Sequence, residues 1–378
     1  FKAYADGNKI VYASDYDSAK DKYAVKVSLA DSDGTAVGTE QTNATGSFDN
    51  LEVGKYKITA TLSDGTTEKK KVEKRINIKN LDDMSAYLFV HFVDTQEDAT
   101  REQIYFSVSK DGKTWTTLNN KQPYLTSNVG TQGVRDPYIL RGEDGKFFII
   151  ATDLSVYNLK NNWTAAAQQG SKSIVVWESS DLVNWSEASL VKINNDNAGC
   201  TWAPEACYDP EKDEYMVFWA SVVSDDSYQK YRIYRSYTKD FKTFSAPELY
   251  IEEPNAVIDT TIIDHEGTYY RFTKNEAKSS ITMQECTSLS GDWKDVANYN
   301  LGSMTGYEGP TIYKLNGKNE WCLLLDYFSK SKGYKPFVTT DITKGEFTAD
   351  SDFSFDGTYR HGTVMPITQA EYESLTAE

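Results

Sequence analysis

No apolar run in the 378 residues approaches the roughly 20 that a membrane span needs, so membrane insertion is not expected. No charged-then-apolar leader opens the chain either. Positive charge is also short: 40 Lys and Arg stand against 56 Asp and Glu, a formal charge of −16 that repels phosphate backbones and argues against nucleic-acid partners. The four cysteines, Cys200, Cys207, Cys286 and Cys322, form no paired CxxC spacing. Neither a zinc site nor a disulfide framework is expected, and the thiols read as small hydrophobes.

Aromatic residues are plentiful, with 26 Tyr and 8 Trp, a supply that suits both stacked sheets and the flat faces of sugars. To about Asn80 the chain alternates apolar and polar residues at strand period, as in Tyr23 to Val27 and Tyr56 to Ala60. Turns at Asp33-Gly34, Val53-Gly54 and Asp64-Gly65 punctuate it, which predicts a small immunoglobulin-like β-sandwich over 1–80, a spacer because it has few aromatics for a binding platform.

From Ala86 the pattern becomes a repeat of about 50 to 70 residues. Five aromatic strands recur, at Tyr87–Val90, Phe147–Ile150, Tyr215–Phe218, Tyr269–Phe272 and Trp321–Leu324. Each is followed by a polar turn closed by an aromatic, as in Asp111 to Trp115 and Asp181 to Trp185. Four are preceded by another short strand, beginning near Asp136, Glu205, Asp259 and Gly309; the unit at Tyr87 has none, and a matching segment stands at 361–368. The expected fold is therefore all-β: a five-bladed β-propeller over 84–378 whose last blade is closed by the C-terminal strand, preceded by the sandwich.

In such a ring the inner strands all begin at the same end of the central channel. Their starts carry Asp136, Glu205, Asp259, Glu308 and His361, an ionisable group from every blade. Gathering carboxylates costs repulsion and desolvation and raises at least one pKa. Glycoside hydrolysis uses such inequality, because a protonated acid serves the leaving oxygen while an ionised partner activates water or attacks the sugar.

The segments Arg135-Asp136-Pro137, Trp202-Ala203-Pro204-Glu205, Ile258-Asp259-Thr260 and Glu308-Gly309-Pro310 resemble, in order, the motifs of glycoside hydrolase family 43. The resemblance covers roughly Ala86 to Thr368. It implies catalytic roles for three residues: Asp136 as general base, Glu308 as general acid and Asp259 as the group that tunes and orients the acid, with inversion at the anomeric carbon. It also implies that His361 faces a structural calcium or a water near the axis, with no cofactor required for catalysis. Two departures weaken the inference of substrate: Glu205 stands where many relatives carry Asp, and Asp259-Thr260 where many read Asp-Pro.

Trp202, Glu205, Arg271, Tyr307 and His361 are the candidate substrate-binding residues, though Trp202 and Tyr307 serve equally well as core. Arg271, inside an apolar strand, calls for a carboxylate partner. His91 and His265 read as surface or turn residues. The long stretch from Ser155 to Ser173, with Tyr157 and Trp163, is expected to wall one side of a pocket. The leading expectation is an exo-acting α-L-arabinofuranosidase on plant polysaccharide, secreted or at a bacterial cell surface. A β-D-xylosidase, an endo-arabinanase and a non-catalytic sugar-binding propeller stay open.

Overall fold

The computed structural model describes residues 1–14, 22–64, 67–79, 83–93 and 98–377. The expected boundary near residue 80 falls on 80–82, outside the described residues. Strand dominates: the α-helices among the described residues are Trp163–Gln168 and Gln369–Thr376.

The N-terminal strands form two three-stranded antiparallel sheets. One joins Lys2–Asp6, Lys9–Ala13 and Thr45–Phe48; the other joins Ala24–Asp31, Gly54–Ser63 and Glu68–Ile78. Period-two alternation sends Val25, Val27 and Leu29, Tyr56, Ile58 and Ala60, and Ile76 and Ile78 to one side, where they share a core with Ile10, Tyr12 and Phe48.

Four antiparallel sheets of four strands follow, and a fifth sheet is shared between the chain ends. Their first strands are Val134–Arg141, Trp202–Asp209, Val257–His265 and Glu308–Lys314. In the fifth sheet, Arg360–Thr368 from the C-terminus pairs antiparallel with Met84–Phe92, with Gly362 opposite His91 and Ile367 opposite Ala86. Val134–Arg141 touches both Trp202–Asp209 and Arg360–Thr368, Val257–His265 touches its two neighbours likewise, and Glu308–Lys314 completes the circuit against Arg360–Thr368. The five first strands thus surround one axis, and the sheets radiate from it as blades, numbered one to five in that order.

The second strands, such as Phe147–Asp153 and Trp321–Asp326, are buried along their whole length between neighbouring blades. That is why they read as unbroken apolar runs rather than alternating ones. In the polar turns further out, the carboxylates of Asp111, Asp181 and Asp240 accept the N–H groups two and three residues on. These turns position Trp115, Leu182 and Phe241 as fully buried or nearly buried plugs between blades.

His91 corrects its expected surface location. It is fully buried, its Nε2 lies 2.9 Å from Ser107 Oγ, and its ring stacks on Tyr359 at 4.0 Å. Burial pushes its pKa down to about 4. His265 ends the inner strand of blade three, its ring 4.7 Å from that of Trp321.

Candidate active site

Every inner strand begins with the same irregularity. The ladder to its second strand slips between Arg135 and Tyr138, Trp202 and Glu205, Ile258 and Thr260, Glu308 and Thr311, and Arg360 and Gly362. At the slip in blades one to four the backbone turns left-handed, with φ of 50° at Asp136, 46° at Ala203, 48° at Asp259 and 51° at Gly309. Three of these are non-glycine residues, so strain is concentrated at one end of the ring, as at sites where a bulge re-aims a side chain.

The bulges sort the acids into three depths. Glu308 stands on the rim beside Arg135, Trp202, Ile258 and Arg360 of the other blades. Asp136 and Asp259 occupy the bulged position itself, level with His361. Glu205 lies two residues past the bulge of blade two, where the other blades carry Tyr138, Thr261 and Thr311. Exposure follows the same order, with side chains of Glu308, Asp136 and Asp259 open by 21%, 15% and 8%, and Glu205 only 4% exposed.

His361 joins the middle layer. Its Nδ1 is 3.4 Å from Asp136 Oδ1 and 3.8 Å from Asp259 Oδ2. Burial alone would lower its pKa, but Asp259, Asp136 and Glu205 raise it to about 10, so the ring is an imidazolium at neutral pH. Gly309 makes room for it: a Cβ there would come within 2.7 Å of the imidazole. The Gly309 N–H donates to Asp259 Oδ2 at 3.0 Å, which ties Asp259 to the residue following Glu308.

The carboxyls are held differently. Burial raises the pKa of Asp136, yet His361, Arg135 and the Thr152 hydroxyl, which donates to Oδ2 at 2.9 Å, bring it below the ordinary value. Asp259 is pushed up by burial and by Glu308 and Asp136, against His361 and Lys274. Glu205 is pushed up to about 8, chiefly by burial. Glu308 accepts from Lys274 Nζ at 2.9 Å and faces Arg360 Nη2 at 3.5 Å. These cations are anchored in turn, Lys274 by Glu276 at 2.8 Å and Arg360 by buried Asp326 at 2.6 Å.

Of the other sequence candidates, Trp202 stands at the rim, stacked on Tyr231 at 5.4 Å. Tyr307 stacks on Tyr327 at 4.5 Å and is 8% exposed, within a core cluster. Arg271 is away from this group. Its Nε donates to Gln284 at 2.8 Å and its guanidinium lies 4.4 Å from the Trp293 ring, so an amide and an aromatic face replace the expected carboxylate. It precedes Lys274 by three residues in the same strand and faces Tyr250 and Trp293 between blades. Among the described residues no three His, Cys, Asp or Glu side chains are grouped to hold a metal, at His361 or elsewhere.

Sequence reading missed Lys274, Arg360, Asp326, Thr152 and Glu102. Glu102 is fully buried. It takes Arg135 Nη1 at 2.9 Å and the Ser155 hydroxyl and the Val156 and Tyr157 N–H groups at 3.1 Å each.

Residues 82–373, most of the chain, match the model of a family described as a probable glycosyl hydrolase domain, related to glycoside hydrolase family 43. The chain belongs to that family. An α-L-arabinofuranosidase of Bifidobacterium longum subsp. longum is 29% identical over 385 residues, covering 88% of this chain and 35% of the relative. The chain therefore spans about a third of the length of that curated protein. Among solved structures, a family 43 protein from Bacillus licheniformis is 17% identical, with a TM-score of 0.46 over 75% of this chain and 55% of that one. An exo-β-1,3-galactanase of Phanerochaete chrysosporium, also 17% identical, has a TM-score of 0.44 over 60% and 53%. In this family member no described helix is long and apolar enough to cross a membrane.

Proposed function

We propose that the chain is an inverting glycoside hydrolase that removes terminal α-L-arabinofuranosyl units from plant polysaccharide outside the cell, with residues 84–378 as the catalytic propeller and 1–80 as an immunoglobulin-like spacer. The observation that carries the reading is the meeting of Asp136 and Asp259 at one nitrogen of His361, with Asp259 bonded to the backbone beside Glu308. Three acids from three blades thus face one small volume.

Asp136, held ionised, takes a proton from water as the oxygen attacks the anomeric carbon. Glu308 gives a proton to the leaving oxygen as the glycosidic bond breaks, and the sugar departs with inverted configuration. Asp259 orients the acid through Gly309. In the resting arrangement Glu308 meets two cations, Lys274 and Arg360. This pairing favours one second reading, a channel that binds sugar without cleaving it.

The test is release of sugar from arabinosyl, xylosyl and galactosyl aryl glycosides by wild type, Asp136→Ala and Glu308→Ala. The hydrolase reading expects release from the arabinosyl substrate by wild type and a loss of about 10²- to 10⁴-fold in each variant. Equal trace release by all three proteins supports the binding channel, and preference for another glycoside replaces the sugar named here.

A further inference from the structure

Trp163 is 41% exposed at the end of the ring where the acids lie, one of few large aromatic side chains left open to solvent. It begins the helix Trp163–Gln168 within the long connection of blade one. An isolated exposed ring on a loop signifies little, but this one is held from several sides. Its edge meets Trp202 at 6.1 Å and 85°, and Trp202 stacks on Tyr231. The Arg135 guanidinium lies 5.4 Å from the Trp163 ring and 4.5 Å from that of Phe92.

The support beneath is dry and polar. Glu102 binds Arg135 and the first turn of the same connection, and Leu154, Val156 and Ala166 form a small core of their own beneath Trp202. The far end of the connection is fastened too: Gly170 N–H donates to Gly199 O at 2.7 Å, and a Cβ on Gly199 would strike Ala167 O at 2.4 Å. A partly exposed indole is thus fixed beside the residue that precedes Asp136. Thr152 links the same two blades, accepting the Ala203 N–H at 2.8 Å and donating to Asp136.

We infer that Trp163, backed by Trp202 and Arg135, is a second sugar-binding position: it takes the C–H face of the pyranose neighbouring the residue held at the carboxyls, in a polymeric substrate. The inference rests on the hydrolase reading above. Indoles bind sugars through such apolar faces, and a rigid mount lowers the ordering cost of that contact.

The experiment compares wild type, Trp163→Ala and Trp163→Phe on two substrates: the glycosyl fluoride of the sugar that wild type cleaves best, whose leaving group has no ring to stack on an indole, and arabinoxylan or arabinogalactan carrying the same sugar. Trp163→Ala is expected to raise KM on the polysaccharide about tenfold while leaving kcat/KM on the glycosyl fluoride within about twofold, and Trp163→Phe to recover part of the difference. Equal losses on both substrates would place the ring in the catalytic pocket and overturn the inference, as would no change on either. Should wild type cleave neither, the hydrolase reading fails by itself. Retardation in gels containing the same polysaccharides then decides: weaker retardation of Trp163→Ala upholds the position, and equal migration removes it.

Discussion

Where the inner strands begin, Lys274 and Arg360 are 3% and 9% exposed and converge on Glu308. At the opposite end, where those strands turn back, Lys55 and Lys79 are 49% and 47% exposed and reach Asp213 and Glu143 from the N-terminal sheets. Arg75 Nη1 donates to Glu211 O there at 2.8 Å, and Asn77 to Glu143 at 2.6 Å. Both ends pair cations with acids, but in different solvents. Desolvation makes the first set costly to break, whereas water and salt stand ready to replace the second. One end therefore holds clustered carboxyls in place, and the other seats one part of the chain on another.

Breaking a pair at the buried end is the strongest test of that contrast. Lys274→Met leaves Glu308 and Glu276 without their shared cation; losing one partner of a fully buried pair costs about 3–5 kcal/mol, an upper bound here because Glu308 keeps Arg360 and the two acids are 21% and 38% exposed. Urea midpoints should fall accordingly, and sugar release should drop with them. A loss below about 1 kcal/mol, the range of exposed pairs, would show that water already reaches this end. Gly309→Ala comes next. It forces a side chain into a left-handed position and against the His361 ring, at a cost of about 1–3 kcal/mol, with an activity loss larger than the stability loss explains.

Glu205 sharpens the contrast through pH. Its folded pKa lies well above the unfolded value, so the unfolded chain releases a proton from about pH 4.5 upward while the folded chain keeps it until about 8. Its contribution is complete below the lower value and is lost as pH rises through the window. Glu205→Gln has no proton to lose. Its stability relative to wild type, read from urea midpoints, should climb as pH rises between those limits, and a constant offset across the range would mean that Glu205 is solvated.

The repeat was legible because each second strand carries a short aromatic-rich run and each first strand has a charged or proline-marked start. The depth of each acid was not. Glu205 and Glu308 look equivalent in sequence, yet a bulge separates them by three positions along the axis, and bulge geometry is set by pairing between strands far apart in the chain. Lys274 and Asp326 left a signal that went unread: each is a charged residue at or next to the end of a second strand, as Asp153 is in blade one. Arg271 misled because burial inside a strand suggests an ion pair, whereas a ring face and an amide satisfy a guanidinium as well.

The smallest effect belongs to the exposed end. Residues 1–79 carry thirteen Lys and Arg against twelve Asp and Glu, so the whole negative excess lies in the rest of the chain, and the sheets' cations meet acidic turns there. Lys79→Ala removes one such contact with Glu143, whose other oxygen still accepts from Asn77. The expected change is below about 1 kcal/mol and shrinks further as salt rises, because the screening length falls from about 10 Å at 0.1 M to about 3 Å at 1 M. Unfolding midpoints measured at both salt concentrations test this, with sugar release unchanged. A larger loss, insensitive to salt, would mean that the docking surface is as dry as the site and that the two ends hold their charges alike.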